Sequence, residues 1–174
     1  YHLKFHSKHK READALLGRV TWHPAIEVTP FMKWLENGGP YFSFNQIKGR
    51  LAGWQRLWTC NISFKKSFLI SHGLFDEAFP DAAWEDVELG YRLSQVGLKL
   101  YYDKKAVGFH YHPTTIVSIK KKMMSNGRNL SLFCRKVPKV YWPPLANHPR
   151  LLFFLDWLLL EPLVTLFGSK HTTN

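Results

Sequence analysis

The period of apolar positions along this chain changes several times, and the changes mark out its elements. Residues 15–22 carry Leu16, Leu17, Val20 and Trp22 ahead of His23-Pro24, a short strand stopped by proline. Residues 30–36 place Phe31, Trp34 and Leu35 on one helical face, closed by the turn signal Asn37-Gly38-Gly39-Pro40. Across 54–70, Leu57-Trp58-Thr59-Cys60 runs into Asn61-Ile62-Ser63-Phe64, then Lys65-Lys66 and Phe68-Leu69-Ile70, which predicts strand, turn and short helix. After a loop over 73–80, a helix is predicted from Asp81 as its cap. Glu85 and Asp86 would meet the positive end of its dipole, and Leu89, Leu93 and Val96 would form the buried stripe before Gly97. Two β-like runs, 98–102 and 106–111, flank Asp103-Lys104-Lys105 and read as strand, turn, strand. Residues 114–136 have the length of a long helix, with Met123, Leu130 and Phe133 spaced for burial and Asn126-Gly127 weakening the centre.

Composition narrows the class. The chain has 174 residues, 45% of them hydrophobic and 21% charged, which excludes a disordered or low-complexity polymer and suits about one domain. Cys60 and Cys134 stand far apart, which excludes a disulfide framework and four-cysteine zinc sites and makes a reducing compartment the default. Residues 1–11, dense in lysine and histidine, read as a solvated face. Residues 1–136 form the expected domain. Residues 137–174 form a proline-containing linker and an apolar helical tail. Asp156, Glu161 and Pro162 interrupt that tail, short of the roughly 20 clean residues that span a bilayer, so it is expected to pack on the domain or lie on a membrane surface. There is no signal-peptide pattern, and the opening Tyr1 in place of methionine leads us to expect a fragment.

The sharpest chemical feature is Trp84-Glu85-Asp86. Two adjacent carboxylates at a helix start can divide the work, one taking a proton and the other positioning a hydroxyl, although acidic residues in a first turn are also ordinary dipole chemistry. His110 and His112 lie two apart on a strand and so share a face, where imidazoles can bind a metal or simply end a strand in hydrogen bonds. Nucleophilic-cysteine, Gly-x-Ser-x-Gly and glycine-rich phosphate-loop patterns are absent.

Five segments together resemble the C-terminal, acceptor-side half of a family 2 glycosyltransferase with the GT-A fold, over roughly residues 15–136. They are Leu17-Gly18-Arg19-Val20-Thr21-Trp22; Asn61-Ile62-Ser63-Phe64-Lys65-Lys66; Gly73-Leu74-Phe75-Asp76-Glu77-Ala78-Phe79; Trp84-Glu85-Asp86-Val87-Glu88-Leu89-Gly90-Tyr91-Arg92-Leu93; and the run from Ala106 to His110. The resemblance implies a partial α/β GT-A fold and transfer of a sugar from a nucleotide-sugar donor to an acceptor hydroxyl with inversion. It implies Asp86 as general base, Glu85 orienting the acceptor, and Trp84, Asn61, Asp76 and Glu77 shaping the acceptor side. It also implies a divalent metal, manganese or magnesium, with His110 as one ligand.

None of the six aspartates forms the family's Asp-x-Asp metal motif, so the nucleotide-binding half and the remaining metal ligands are expected upstream. The acceptor is expected to be a carbohydrate or a lipid-linked sugar in polysaccharide or glycolipid synthesis. The expected setting is cytoplasmic, at the inner face of the membrane, with Lys120 to Lys122 and other basic residues near anionic headgroups. Two rivals stand beside this reading. One is a non-catalytic remnant or partner subunit. The other is a nucleic-acid module suited to the +11 charge, disfavoured because the basic residues are dispersed and no zinc-finger or RNP signature occurs.

Overall fold

A computed structural model describes residues 1–37 and 43–138. The described residues are mixed α/β and divide into two compact units, one of Tyr1–Glu77 with Glu85–Thr114, the other of Ala78–Trp84 with the described residues from Thr115.

The first unit is built on β1 (Asp14–Trp22), which is buried at all positions but Arg19 and Thr21. Near-continuous burial requires cover on both faces, and the sheet has it. Its strand order is β2-β4-β1-β3: β4 (Lys99–His110) runs parallel to β1, while β2 (Leu51–Ala52) and β3 (Ile62–Ser63) are short antiparallel edges. On one face Ala15, Leu17 and Leu100 join Phe44, Leu57, Phe68, Leu89 and Leu93 in the main core. Leu16, in register with Tyr101 and Ser63, points the other way. There α1 (His2–Lys8) covers it, with the Phe5 ring 5.3 Å from that of Tyr101 and His2 and His6 nitrogens 2.7 and 2.9 Å from Ser63 Oγ. Residues 1–11 are therefore more than a solvated face: Lys4, Lys8 and Lys10 meet water, while His2, Phe5, His6 and His9 are half-buried.

The structure corrects the predicted strand-turn-strand over 98–111, because β4 is one strand. Its register passes from Gly18 opposite Asp103 to Arg19 opposite Val107, leaving Lys104, Lys105 and Ala106 as a bulge. Asp103 Oδ1 accepts the Lys105 N–H at 2.9 Å, a local turn that kinks the strand without reversing it.

Three further expectations change. Residues 54–64 form two 3-10 turns, Trp54–Arg56 and Thr59–Asn61, before β3 and α3 (Lys66–His72), because Leu57 is buried from a turn rather than from a ladder. In α2 (Pro30–Asn37) the buried pair is Met32 and Leu35, whereas Phe31 and Trp34 stack on each other at 5.9 Å and Trp34 is exposed. The helix predicted from Asp81 begins at Glu85: α4 (Glu85–Gln95) buries Leu89 and Leu93, while Val96 lies beyond it and is exposed. Gly90 is required on α4, since a Cβ there would strike Trp54 O and come within 2.8 Å of Leu57 Cβ.

The second unit holds α5 (Ile116–Lys136), opened by a Thr115–Ser118 capping box and burying Ile119, Asn129, Leu130 and Phe133. The helix runs through Asn126-Gly127 unbroken. Asn129 Nδ2 donates to Asp81 O (2.7 Å) and Ala83 O (3.0 Å), and the Asp81 carboxylate accepts from Ser125 and Arg128, each at 2.9 Å. The Arg128 and Ser125 bonds lower the pKa of Asp81, and together with the Asn129 bonds they give it a tertiary role in place of the predicted cap. The sequence's linker beyond Pro138 and its apolar tail lie outside the described residues.

Candidate active site

Asp86 is the second residue of α4, where the helix dipole favours an anion. Burial opposes it, and the neighbouring Glu85 charge adds to that opposition, so its pKa is pushed from 3.8 up to about 6. Backbone N–H groups of Val87, at 2.8 Å, and of Thr59 hold the carboxyl in place and offset part of the rise. Glu85 Oε2 is buried and accepts no hydrogen bond from the described residues. A carboxyl that titrates near neutrality beside a second carboxyl with an open acceptor suits proton abstraction from a hydroxyl.

One turn further along, the buried Glu88 takes both oxygens to Arg92 Nε, at 2.8 and 3.0 Å. Arg92 Nη2 then donates to Leu74 O at 2.7 Å, which ties the 73–77 loop to α4. Gly73 at the start of that loop has φ +93, and a Cβ there would come within 2.7 Å of Arg92 Nη1. Asp76 on this loop is half-buried and Glu77 exposed.

Asn61 ends the Thr59–Asn61 turn, so the segment whose Thr59 N–H meets Asp86 also carries Asn61. Its Nδ2 donates to Arg19 O and Ala106 O, both at 2.9 Å, and its Oδ1 lies 3.0 Å from His2 Nε2. Asn61 thus closes the β4 bulge. Gly18 leaves the room for it, since a Cβ would collide with both Asn61 and Ala106 O. Beyond the bulge β4 ends at His110, in register with Trp22, whose ring meets the imidazole edge-on at 5.7 Å. The His112 ring lies 5.9 Å from that of His110. Among the described residues no group of three or more histidine, cysteine or carboxylate side chains gathers as a metal site, so a metal at His110 needs ligands from elsewhere.

Trp84 belongs to the second unit. It is the one non-glycine described residue with positive φ, +67, and its ring packs on Phe133 at 5.0 Å. That contact gives the indole a structural partner within its own unit.

Comparison with known proteins adds a relationship. The chain is similar to glycosyltransferases. It is 34% identical over 76 residues to the uncharacterized glycosyltransferase YfnE of Bacillus subtilis, covering 43% of this chain and 19% of that protein. It is 28% identical over 91 residues to validoxylamine A glucosyltransferase of Streptomyces hygroscopicus subsp. jinggangensis (51% and 22%). It is 31% identical over 81 residues to hyaluronan synthase of Pasteurella multocida (47% and 8%). The chain therefore spans less than a quarter of the length of these relatives. No family profile matches it.

Within this glycosyltransferase-related chain, sequence reasoning singled out Asp86, Glu85, Asn61 and His110 but not the groups that position them. Glu88 and Arg92 carried a readable signal, opposite charges at i and i+4. The His2, His6 and Ser63 contacts carried none, because they join residues about sixty positions apart.

Proposed function

We propose that this chain is the acceptor-side half of an inverting family 2 glycosyltransferase of GT-A fold. In this reading Asp86 is the general base. The acceptor oxygen attacks the anomeric carbon of a nucleotide sugar, the bond from that carbon to the diphosphate breaks, and the hydroxyl proton passes to Asp86. Glu85, with its open buried oxygen, accepts a hydrogen bond from the acceptor. The observation that carries the reading is the raised Asp86 pKa at a helix start, in a chain similar to glycosyltransferases.

A divalent ion bound with His110 would neutralise charge on the leaving diphosphate, its other ligands coming from the donor half. That half, the cytoplasmic setting and the membrane-facing tail belong to the same proposal.

The test is transfer by the full-length polypeptide that carries these residues, wild type against Asp86→Asn, over uridine and guanosine diphosphate sugars with manganese or magnesium. Loss of about two orders of magnitude or more in transfer is expected. A wild-type pH profile rising through a limb near the Asp86 pKa of about 6 accompanies it, since the base acts ionised. Equal turnover by the two proteins would make Asp86 a helix-end carboxylate only.

A further inference from the structure

Away from Asp86, an open cleft of about 320 Å³ lies in the first unit against the β4 bulge. That volume is within the range of small-molecule sites. Its walls are Arg19, Glu36, Phe44, Asn45, Tyr102 and Lys104.

The charges do not cancel. Glu36 Oε1 accepts from Arg19 Nη2 at 3.1 Å and from Thr21 Oγ1 at 2.6 Å, which neutralises one cation and fixes its guanidinium. Lys104 sits on the bulge, exposed, and forms no ion pair with any described residue. Among the charged lining residues Lys104 is therefore the one left without an ion-pair partner, while the Asp103 carboxylate, bonded to Lys105 N–H on the same bulge, also acts on Tyr102. The Tyr102 ring, half-buried and backed by the nearly parallel Phe44 ring at 6.3 Å, gives the wall a rigid aromatic plane. Asn45 adds an exposed amide, anchored by its own Nδ2 donating to Asn37 O at 2.9 Å. On α2, Phe31, Trp34 and Asn37 recur at i, i+3 and i+6, so the half-buried Phe31 and the exposed Trp34 lead along the helix to Asn37, itself part of the lining.

An aromatic plane takes the C–H face of a pyranose, amides take its hydroxyls, and a lone ammonium selects a charged substituent. We propose that this cleft is a saccharide subsite for a sugar bearing an anionic group, carboxylate, phosphate or sulfate. The bulge makes the site, since it lifts Lys104 out of the ladder beside Tyr102. The inference rests on the glycosyltransferase reading for its role as an acceptor subsite, but binding there needs no transfer step.

The test titrates the full chain, followed by amide NMR and calorimetry, with methyl glucoside, methyl glucuronide, a glucose monophosphate, a glucose monosulfate and inorganic phosphate. Resonances of Asn45, Tyr102 and Lys104 should move with an anionic sugar. It should bind about tenfold more tightly than methyl glucoside, the margin of a charge-assisted over a neutral hydrogen bond. Comparing the carboxylate, phosphate and sulfate sugars identifies which anion is preferred. Lys104→Gln, on an exposed side chain, should erase that margin and leave methyl glucoside unchanged. Equal binding of neutral and charged sugars, an unchanged margin in Lys104→Gln, or inorganic phosphate binding as tightly as the sugar phosphate would each overturn the subsite. Absence of transfer with this selectivity intact removes only the proposed reaction. Transfer with no response at the cleft removes only the subsite.

Discussion

The side-chain amide of Asn61 donates to the carbonyl oxygen of Ala106 at 2.9 Å, across 45 positions of sequence. The same nitrogen donates to Arg19 O, so one side chain bridges a β1 carbonyl and a carbonyl of the β4 bulge where the register shifts. Asn61→Ala leaves both without that donor and is expected to cost about 2–3 kcal/mol in denaturant unfolding. A loss near zero would mean that water replaces the amide and that the bulge is self-supporting.

Asp86 should act against stability while serving chemistry. Its folded pKa, about 6, lies above its ordinary 3.8, so the folded state holds the proton more tightly than the unfolded chain. That contribution is complete below about pH 4 and is lost as pH rises through about 6; the ionised carboxylate then costs about 3 kcal/mol. Asp86→Asn is expected to unfold at higher denaturant near about pH 8 and to match wild type near about pH 4. The opposite pH trend would contradict burial as the cause.

Glu88 and Arg92 form a pair whose halves are unequal, Glu88 being 5% exposed and Arg92 32%. Arg92→Ala strands a buried carboxylate and should destabilise by about 3–5 kcal/mol. Arg92→Met with Glu88→Leu should recover much of that, although Leu74 O still loses its donor. Thermal melts of the two variants decide it: equal losses would assign the effect to the 73–77 loop rather than to the charge.

Burial, with Lys65 nearby, lowers the pKa of His6, so protonation opposes its packed position. Its contribution is present above the ordinary value near 6.5 and fades as pH falls through the lower folded value. The charged and titratable groups around it are His2, His9 and Lys65, none of which offers a compensating negative charge. Amide exchange of α1 should quicken on moving from about pH 8 to about pH 5. His6→Gln, which has no imidazole to charge, should flatten that change, and an unchanged pH response in the variant would assign it to another group.

Local pattern alone located the ends of β1, α2 and α5 to within two residues, because proline and apolar periodicity act within a few residues of where they stand. It also marked Glu85 and Asp86, since a carboxylate pair at a helix start is visible in sequence. Tertiary structure decided the rest. Asp103-Lys104-Lys105 has the chemistry of a turn, yet whether a turn reverses a strand or only kinks it depends on the neighbour, here a parallel β1 some eighty residues earlier. Asp81 has the chemistry of a cap, yet Arg128, Ser125 and Asn129 claim it. Asn61 has the chemistry to meet a substrate hydroxyl, and its Nδ2 is held by two backbone carbonyls that sequence spacing does not show. In each case the residue type fixed which bonds were available, and the fold fixed which partner came within reach, because desolvation and hydrogen-bond geometry act only between groups that packing has brought together.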